Sequence, residues 1–333
     1  MKRFSKVLLA LLVVALTLPV VWNADTAMAK KAEKEKKLTV EQVMAKMQEA
    51  TNKQNNVTVV TDTKVECSVL GKPISVDQKQ TEEVLIKKDG SVKVKDRVVQ
   101  KTDIDQSLLD AMGDQKSAAS TETDVLTYVF VDETGVSVYV KEEGKWVKVI
   151  LPMDKIMTAI IGENQMGAAK KNDNPMKLTM KESKKKYTIT GKMKLTESMF
   201  SEITDALKGV EGAEEVADYI SLAASNKAMK FTFVVDKETM LLTSMTADVT
   251  AYTNDVVSNV IDFLAEKDSS VALMKGNISV KACQVKATVK YGKIKSIEVP
   301  EEAENGEDYS EEVLKAIEEY SKVIIEQIQK MQK

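Results

Sequence analysis

The fold class is indicated most clearly by one stretch, VTVVTDTKVECSV, which runs from Val57 to Val69. Its odd positions are apolar or carry Thr or Cys, and most of its even positions are polar. This period of two predicts a long strand with one face buried and the other face in water. Ordinary strands have about 5–6 residues, and long twisted strands in one antiparallel sheet tend to curl. The stretch therefore predicts a large curled sheet.

The same alternation recurs along most of the chain. Asp89-Gly90 is a strong signal for a tight hairpin, and short turns with Gly135 and Gly144 separate three further strands. We expect an α+β fold in which about 11–12 mostly antiparallel strands form a half-barrel, with helices covering its concave side. The predicted strands are residues 57–69, 74–87, 91–100, 125–132, 136–141, 145–150, 177–181, 186–195, 229–236, 240–252, 278–291 and 293–299.

Capping signals and apolar residues at helical spacing predict the helices. Thr39 is a good N-cap, Gln42 completes a capping box and Leu38 can contact Val43, so a helix should follow Thr39 and end near residue 52. The polar residues 101–123 are expected to form a mobile excursion with a helical patch at 108–112. Further helices are predicted at residues 152–161, 197–208, 213–224, 255–265 and 310–332.

The N-terminus has the three parts of a secretory signal peptide. Basic Lys2, Arg3 and Lys6 precede an apolar run over residues 7–21, and the small residues Ala27 and Ala29 mark a cleavage site. A retained membrane anchor is the alternative, although a span needs about 20 apolar residues. We expect the protein outside the cytoplasmic membrane, secreted or in the cell envelope. The predicted parts are a signal peptide (1–29), a charged spacer (30–37), the half-barrel domain (38–300), an acidic linker (301–308) and an amphipathic helix (309–333).

The composition argues against several classes of chemistry. The chain has no His, which removes Ser-His-Asp and Cys-His catalysis and His-ligated zinc. Carboxylate pairs arise by chance among 51 acidic residues, and the sequence has no Gly-rich phosphate loop. The nearly neutral body also lacks the basic stripe of a nucleic-acid binder. We therefore expect no enzyme activity, no cofactor, no metal site and no nucleic-acid partner.

The chain has two cysteines, Cys67 and Cys283. An even number permits a disulfide outside the cytoplasm, and this bridge would close a very long loop. Both residues also lie in predicted strands on faces that are expected to be apolar, so a pair of buried thiols is the alternative. The sequence leaves both interpretations open.

The abundance of methionine is the feature of the composition that bears most on ligand binding. Eleven of the 17 methionines lie between Met153 and Met274. Because methionine is flexible and polarizable, it suits surfaces that accept varied apolar shapes; an ordinary core packed with Met is the alternative. The candidate residues for an apolar ligand cavity are Val57, Val59, Val65, Met153, Met157, Met180, Ile189, Met193, Met229, Phe231, Phe233, Leu242 and Met245.

In its order of parts the chain resembles a known superfamily. A capped helix (LTVEQVM, residues 38–44) precedes a long meander of strands, and the body closes with VKYGKIKSIEVP (residues 289–300) before acidic residues. This arrangement resembles bacterial lipoprotein carriers of the LolA and LppX type, in particular a Gram-positive group of secreted proteins with that fold. The resemblance implies a curled half-barrel whose concave side, closed by helices, holds acyl chains or another apolar ligand. It transfers no site residues, since such proteins bind through general apolar lining.

Two functions are compatible with the sequence. The first is an extracytoplasmic, non-enzymatic protein that carries or senses a lipid, a lipidated protein or another hydrophobic ligand, in contact with the membrane surface. The second is an envelope interaction or sensor module with a filled core, which contacts a protein partner through residues 309–333. The apolar stripe of that last helix is equally typical of packing on the chain's own body.

Overall fold

The structure, a computed structural model, describes residues 37–111, 118–155, 177–195, 200, 204, 218, 220–269 and 271–317. The predicted signal peptide, with Ala27 and Ala29, lies outside these ranges. So do Met157, residues 318–333 and most of the helices predicted at 152–161, 197–208 and 213–224.

Twelve strands form a single sheet within the described residues. They are β1 (Asn56–Val69), β2 (Lys72–Ile86), β3 (Val92–Ile104), β4 (Ser120–Asp132), β5 (Gly135–Glu142), β6 (Lys145–Pro152), β7 (Lys177–Glu182), β8 (Lys186–Met193), β9 (Met229–Asp236), β10 (Leu242–Asp248), β11 (Ile278–Tyr291) and β12 (Glu307–Asp308). Their order across the sheet is β12-β6-β5-β4-β3-β2-β1-β11-β10-β9-β8-β7.

All neighbouring strands pair antiparallel except β12, which runs parallel to β6. Since β12 and β7 stand at opposite ends of the strand order, the sheet does not close into a barrel. The predicted α+β, half-barrel-like fold is confirmed. The main helices are α1 (Val40–Asn52), α2 (Gln106–Ala111), α3 (Thr250–Lys267), α4 (Glu301–Glu304) and the start of α5 (residues 310–317).

Helix α1 begins as its capping signal predicts. The Gln42 N–H donates to Thr39 Oγ1, and the Thr39 N–H donates to Gln42 Oε1 at 3.0 Å. This reciprocal pair satisfies two backbone donors that the first helical turn leaves without partners. Leu38 packs on the cluster that contains Val43, which is fully buried. The cap therefore fixes where α1 starts and which side it turns to the sheet.

The hairpin between β2 and β3 is also confirmed. Gly90 has a φ of 86°, a left-handed conformation that glycine adopts without strain. The Asp89 carboxylate accepts the Ser91 N–H at 2.9 Å, and the Lys87 N–H donates to the Ser91 carbonyl at 2.8 Å. These contacts close the turn and set the register of two of the longest strands.

The irregular excursion predicted over residues 101–123 is wrong at its two ends, whereas its helical patch is confirmed by α2 (Gln106–Ala111). Strand β3 continues to Ile104 and β4 begins at Ser120, with Thr102 paired to Thr121. Threonine is a good strand former, so the ladder continues although both partners are polar. Helix α2 lies between them with Leu108 and Leu109 buried, and residues 112–117 lie outside the described ranges.

The boundary between β10 and α3 also differs from the prediction of a strand over 240–252. Strand β10 ends at Asp248, whose carboxylate accepts the Thr250 N–H at 3.2 Å. The Thr250 hydroxyl then accepts the Cys283 N–H at 2.8 Å, so a side chain takes the ladder donor that a longer β10 would have used. The helix consequently starts five residues earlier than predicted, at Thr250 instead of Asp255.

The C-terminal segment runs from β11 past β1 and β3 to strand β6. Residues 293–299, predicted as a strand, form no ladder; the Ile294 N–H donates to Asn56 Oδ1 at 2.9 Å, and Lys93 Nζ donates to the Ile297 carbonyl at 3.1 Å. Residues 301–308, predicted as a linker, form α4, with Ala303 fully buried, and then β12 on the edge of β6. The linker was predicted from the acidic composition of this segment, and composition does not reveal that Ala303 is buried.

No helix in the described ranges combines the length and the apolar composition that crossing a membrane requires.

Candidate functional site

The two faces of the sheet differ in what packs on them. Residues directly opposite each other in an antiparallel ladder lie on the same face. Val59 is opposite Val289 on β11 and Glu82 on β2, and this register continues across the sheet. We call the face that carries Val59 the helix-packed face, because α1 and α5 pack on residues in the same phase. The face that carries Val60 is the outer face.

At the β7–β9 end, α1 packs on most of the predicted cavity residues from the second half of the chain. Ile189 and Val43 have no exposed surface, and Phe233 is buried beside them. The cluster brings together the predicted residues Met180, Ile189, Phe231, Phe233, Leu242 and Met245. At this end the structure agrees with the alternative of a Met-rich core, since a ligand among these side chains would have to displace α1.

At the opposite end, α5 packs on strands β5 and β6. Val313 is buried and contacts a cluster with Val138, Val149 and Leu151, and Leu314 and Ile317 pack beside it. The described start of the C-terminal helix therefore docks on the chain's own sheet. This position does not favour the hypothesis that the helix stripe is free for a partner.

Strands β1–β4 carry the part of the helix-packed face between these clusters. Val57 opposes Val84, which opposes Val94, and the same row continues into the α5 cluster. We call this the valine row; its members in order are Val57, Val84, Val94, Val129, Val138 and Val149.

The next row along the strands holds a group of buried polar residues. It runs Val59, Glu82, Asp96, Thr127, Val140 and Val147. Glu82 is 7% exposed and Asp96 is 5% exposed, and Gln80 Nε2 donates to Asp96 Oδ1 at 3.1 Å. Gln80 and Thr127 are buried as well. We call Gln80, Glu82, Asp96 and Thr127 the polar quartet.

Burial changes the acidity of both carboxyl groups. Desolvation, with a smaller contribution from the charge of Asp96, raises the pKa of Glu82 to about 7. Burial also raises the pKa of Asp96, and the hydrogen bond from Gln80 opposes part of that rise. Near neutral pH the pair therefore carries less charge than two exposed carboxylates would.

The polar quartet was not predicted from the sequence, although strand β2 contains a signal for it. Val76 and Val84 are at even-numbered positions of β2, which lie on the helix-packed face. Gln80 and Glu82 are also at even-numbered positions and therefore lie on the same face. A polar residue at a strand position where the alternation predicts an apolar, buried one is an informative exception. Composition alone conceals this exception because Glu and Gln are common on exposed strand faces.

The remaining predicted residues are distributed along the same sheet. Val65 lies on the helix-packed face opposite Cys283, at the far end of β1 from Val57. Met193 and Met229 oppose each other on β8 and β9, and Met153 follows β6 with its N–H on the Thr134 carbonyl at 3.0 Å. These residues are therefore separated along the sheet and do not form a single lining with the α1 cluster.

The two cysteines are free thiols in the structure. Cys283 opposes Val65 and Cys67 opposes Val280, so the thiols are on adjacent strands but in a diagonal position next to an irregularity in β11. Diagonal neighbours are about 7–8 Å apart, beyond the usual Cα separation of a disulfide. Burial raises the pKa of the Cys67 thiol and so disfavours the reactive thiolate.

An open hollow of about 730 Å³ lies on the outer face, across β4, β3, β2, β1, β11 and β10. Its lining carries charges of both signs, including Asp62, Lys64, Lys79, Asp248 and Lys286. Two of the lysines nearby are paired, since Lys64 lies 2.7 Å from Glu66 and Lys101 lies 2.8 Å from Asp103. A solvated surface with balanced charges does not suit an apolar ligand, so the helix-packed face remains the candidate site.

Within the described ranges, no group of three or more His, Cys, Asp or Glu residues is arranged to hold a metal ion.

No protein-family model matches the chain, and no curated protein sequence matches it. Among solved structures, it is similar to a beta-barrel-like protein of domain of unknown function DUF1849 from Brucella abortus, with 10% sequence identity and a TM-score of 0.20. The similarity covers 72% of this chain and 97% of that chain. A TM-score this low supports no inference about function.

Proposed function

We propose that the protein binds a hydrophobic ligand without transforming it, and that this ligand lies on the helix-packed face over β1–β4. The observation that carries the proposal is the start of the valine row and its neighbour Val59 in the next row. Val57, Val84 and Val59 are half-buried and, among the described residues, belong to neither the α1 nor the α5 cluster. An apolar ligand chain on this surface would have one of its sides removed from water. Each buried methylene contributes about 0.8 kcal/mol to the free energy of binding.

The length of the strands supports the same proposal. Strands β1–β4 have 14, 15, 13 and 13 residues. At about 3.3 Å per residue they span roughly 40–50 Å. A face of this length has room for an extended chain laid along the strands, beside the clusters that α1 and α5 already fill.

The proposed place of action is outside the cytoplasmic membrane, secreted or in the envelope of a Gram-positive bacterium. The export signal in residues 1–29 supports this location, as does the resemblance to carriers of the LolA and LppX type. The proposed cargo is a lipid or a lipidated protein, which the protein carries or senses. Contact with the membrane surface belongs to the same proposal, because such cargo leaves and enters membranes.

The proposal is tested by native mass spectrometry of protein purified from its own envelope, followed by lipid extraction. We expect an extractable apolar molecule in a defined ratio, and delipidated protein should take up an apolar fluorescent dye. Val59→Thr should weaken dye binding several-fold, because a hydroxyl replaces a methyl group on the ligand side. Val60→Thr is the matched control, since Val60 is the next residue and lies on the outer face. Protein that takes up neither lipid nor dye would contradict the proposal.

The second candidate function is an envelope interaction or sensor module with a filled core. The complete burial of Val43 and Ile189 in the α1 cluster favours this alternative for one end of the sheet. It predicts that removal of lipid changes neither stability nor partner binding. A dye that binds and is displaced by lipid would decide in favour of the carrier.

A further inference from the structure

Two buried carboxyl groups on the face proposed to hold an apolar chain are not explained by burial of that chain alone. We infer that Glu82 and Asp96 form a head-group site on the helix-packed face, and that the ligand is an amphiphile with a cationic amine head. This inference rests on the proposed function and specifies the class of ligand. It depends on the partners of the pair, on its position between two kinds of surface and on the chemistry of its neighbours.

The pair lacks a compensating positive charge within the described part of the chain. Gln80 donates one hydrogen bond to Asp96 Oδ1, and no described residue donates a hydrogen bond to the Glu82 carboxyl group or forms an ion pair with it. Buried carboxylates are ordinarily paired with a cation or accept several hydrogen bonds. Glu82 is therefore a buried acceptor with free lone pairs, turned to the face on which the ligand is proposed to lie.

The pair lies between an apolar row and rows without charge. On one side lies the valine row, beginning with Val57 and Val84. On the other side the next row begins with Thr61 and Gln80 and continues into Val98 and Val125. The row beyond it consists of uncharged polar residues: Thr63, Gln78, Gln100 and Thr123. An amphiphile fits this surface when its chain covers the valines and its head reaches Glu82.

An ammonium head suits the pair better than the alternatives. It has donors and a positive charge, which two adjacent carboxyl groups require. A carboxylate or phosphate head would bring a third acidic group to the site. A calcium ion takes about 6–8 oxygen ligands, whereas Val59 and Val94 flank the two carboxyl groups within the sheet.

The test is a series of ligands with one chain and three heads: decylamine, decanol and decanoate, each titrated by calorimetry into the full delipidated protein at neutral pH. We expect decylamine to bind about 10- to 100-fold more tightly than decanol, as hydrogen bonds to a charged group imply. Decanoate should bind more weakly than decanol because it repels the pair. This comparison uses unaltered protein and does not depend on the folding of any variant.

Glu82→Gln then removes the charge while it keeps the shape of the side chain. We expect this variant to bind decylamine and decanol within about threefold of each other, with the affinity for decanol retained. Asp96→Asn should reduce the preference for the amine in the same direction. Glu83→Gln is the matched control: Glu83 is the next residue, lies on the outer face and is 3.6 Å from Lys95, and its loss should leave the preference intact.

The outcomes separate the head-group site from the proposed function. If decanol binds as tightly as decylamine to unaltered protein, or if Glu82→Gln weakens both ligands equally, the head-group site is wrong and the apolar site remains. Calcium that binds in a Glu82-dependent manner, without any preference for the amine, also overturns the inference. If no ligand of the series binds, the proposed function itself is contradicted.

Discussion

Glu82 on β2 lies directly opposite Asp96 on β3, and both side chains are buried on the face of the sheet that α1 and α5 also use. Two neighbouring carboxyl groups in such a place oppose each other's ionisation. The surface proposed to bind the ligand therefore contains a local source of instability. Both the pH dependence of folding and the choice of ligand can be followed at this one pair.

Glu82 should make the protein less stable as the pH rises from about 4.5 to about 7. The unfolded carboxyl group ionises near 4.5, and the folded one near 7, so between these values the folded state binds the extra proton. By linkage the free energy of unfolding falls across this window and is level above it, with a total of roughly 3 kcal/mol. Glu82→Gln should remove this fall and be the more stable protein at pH 8, measured by urea unfolding.

The control for this prediction is Glu83→Gln, which changes the outer face and should keep the fall with pH. Other carboxyl groups also affect stability with pH, so the informative quantity is the difference between variant and unaltered protein. An equal difference at pH 5 and pH 8 would contradict the assigned role of Glu82.

Ile189 should be one of the most important side chains for stability. It has no exposed surface and packs with Val43 of α1. Ile189→Ala should cost about 2–5 kcal/mol, since it removes buried methylenes and leaves a cavity. Ile86→Ala is the control, because Ile86 is 39% exposed; its cost in the same urea experiment should be much smaller. Similar costs for the two changes would argue against the α1 cluster.

Thr39→Ala should lower the free energy of unfolding by about 1 kcal/mol, because it removes the N-cap acceptor of α1. Glu49→Ala on the same helix breaks an exposed pair with Lys53 and should change stability by less than about 0.5 kcal/mol. The comparison needs only urea unfolding of the three proteins. Equal effects would mean that the cap does not hold α1 on the sheet.

Val313→Ala tests whether α5 belongs to the folded body. Val313 is buried against Val149 and Leu151, so its truncation should cost about 1–3 kcal/mol. Lys315→Ala, at an exposed position of the same helix, should be nearly neutral. A neutral Val313→Ala would restore the hypothesis that this helix is free for a protein partner.

Local signals of the sequence predicted much of the fold. The alternation in β1 and β11, the Asp89-Gly90 turn and the Thr39 cap each depend on neighbouring residues, and each appears in the structure as expected. Contacts between distant residues could not be predicted in this way. The ends of β10 and of the C-terminal segment depend on hydrogen bonds to Cys283 and Asn56, which are far away in the chain.

The candidate site was predictable only in part, for the same reason. Val57 and Val59 were expected on the buried face of β1, and the register agrees. The assignment of Phe233 and Ile189 to a ligand cavity required knowledge of where α1 packs, and no local pattern contains it. Glu82 and Asp96 come together only through the pairing of β2 with β3.

The most direct test of the account is photolabelling of delipidated protein with a long-chain alcohol that carries a diazirine, followed by peptide mapping. Ligand binding on the helix-packed face over β1–β4 predicts labels on the peptides that contain Val57–Thr61 and Gln80–Val84, and a loss of these labels when unlabelled decanol is added. Labels confined to the α1 cluster around Phe233, labels confined to the charged outer hollow, or no labels at all would contradict it.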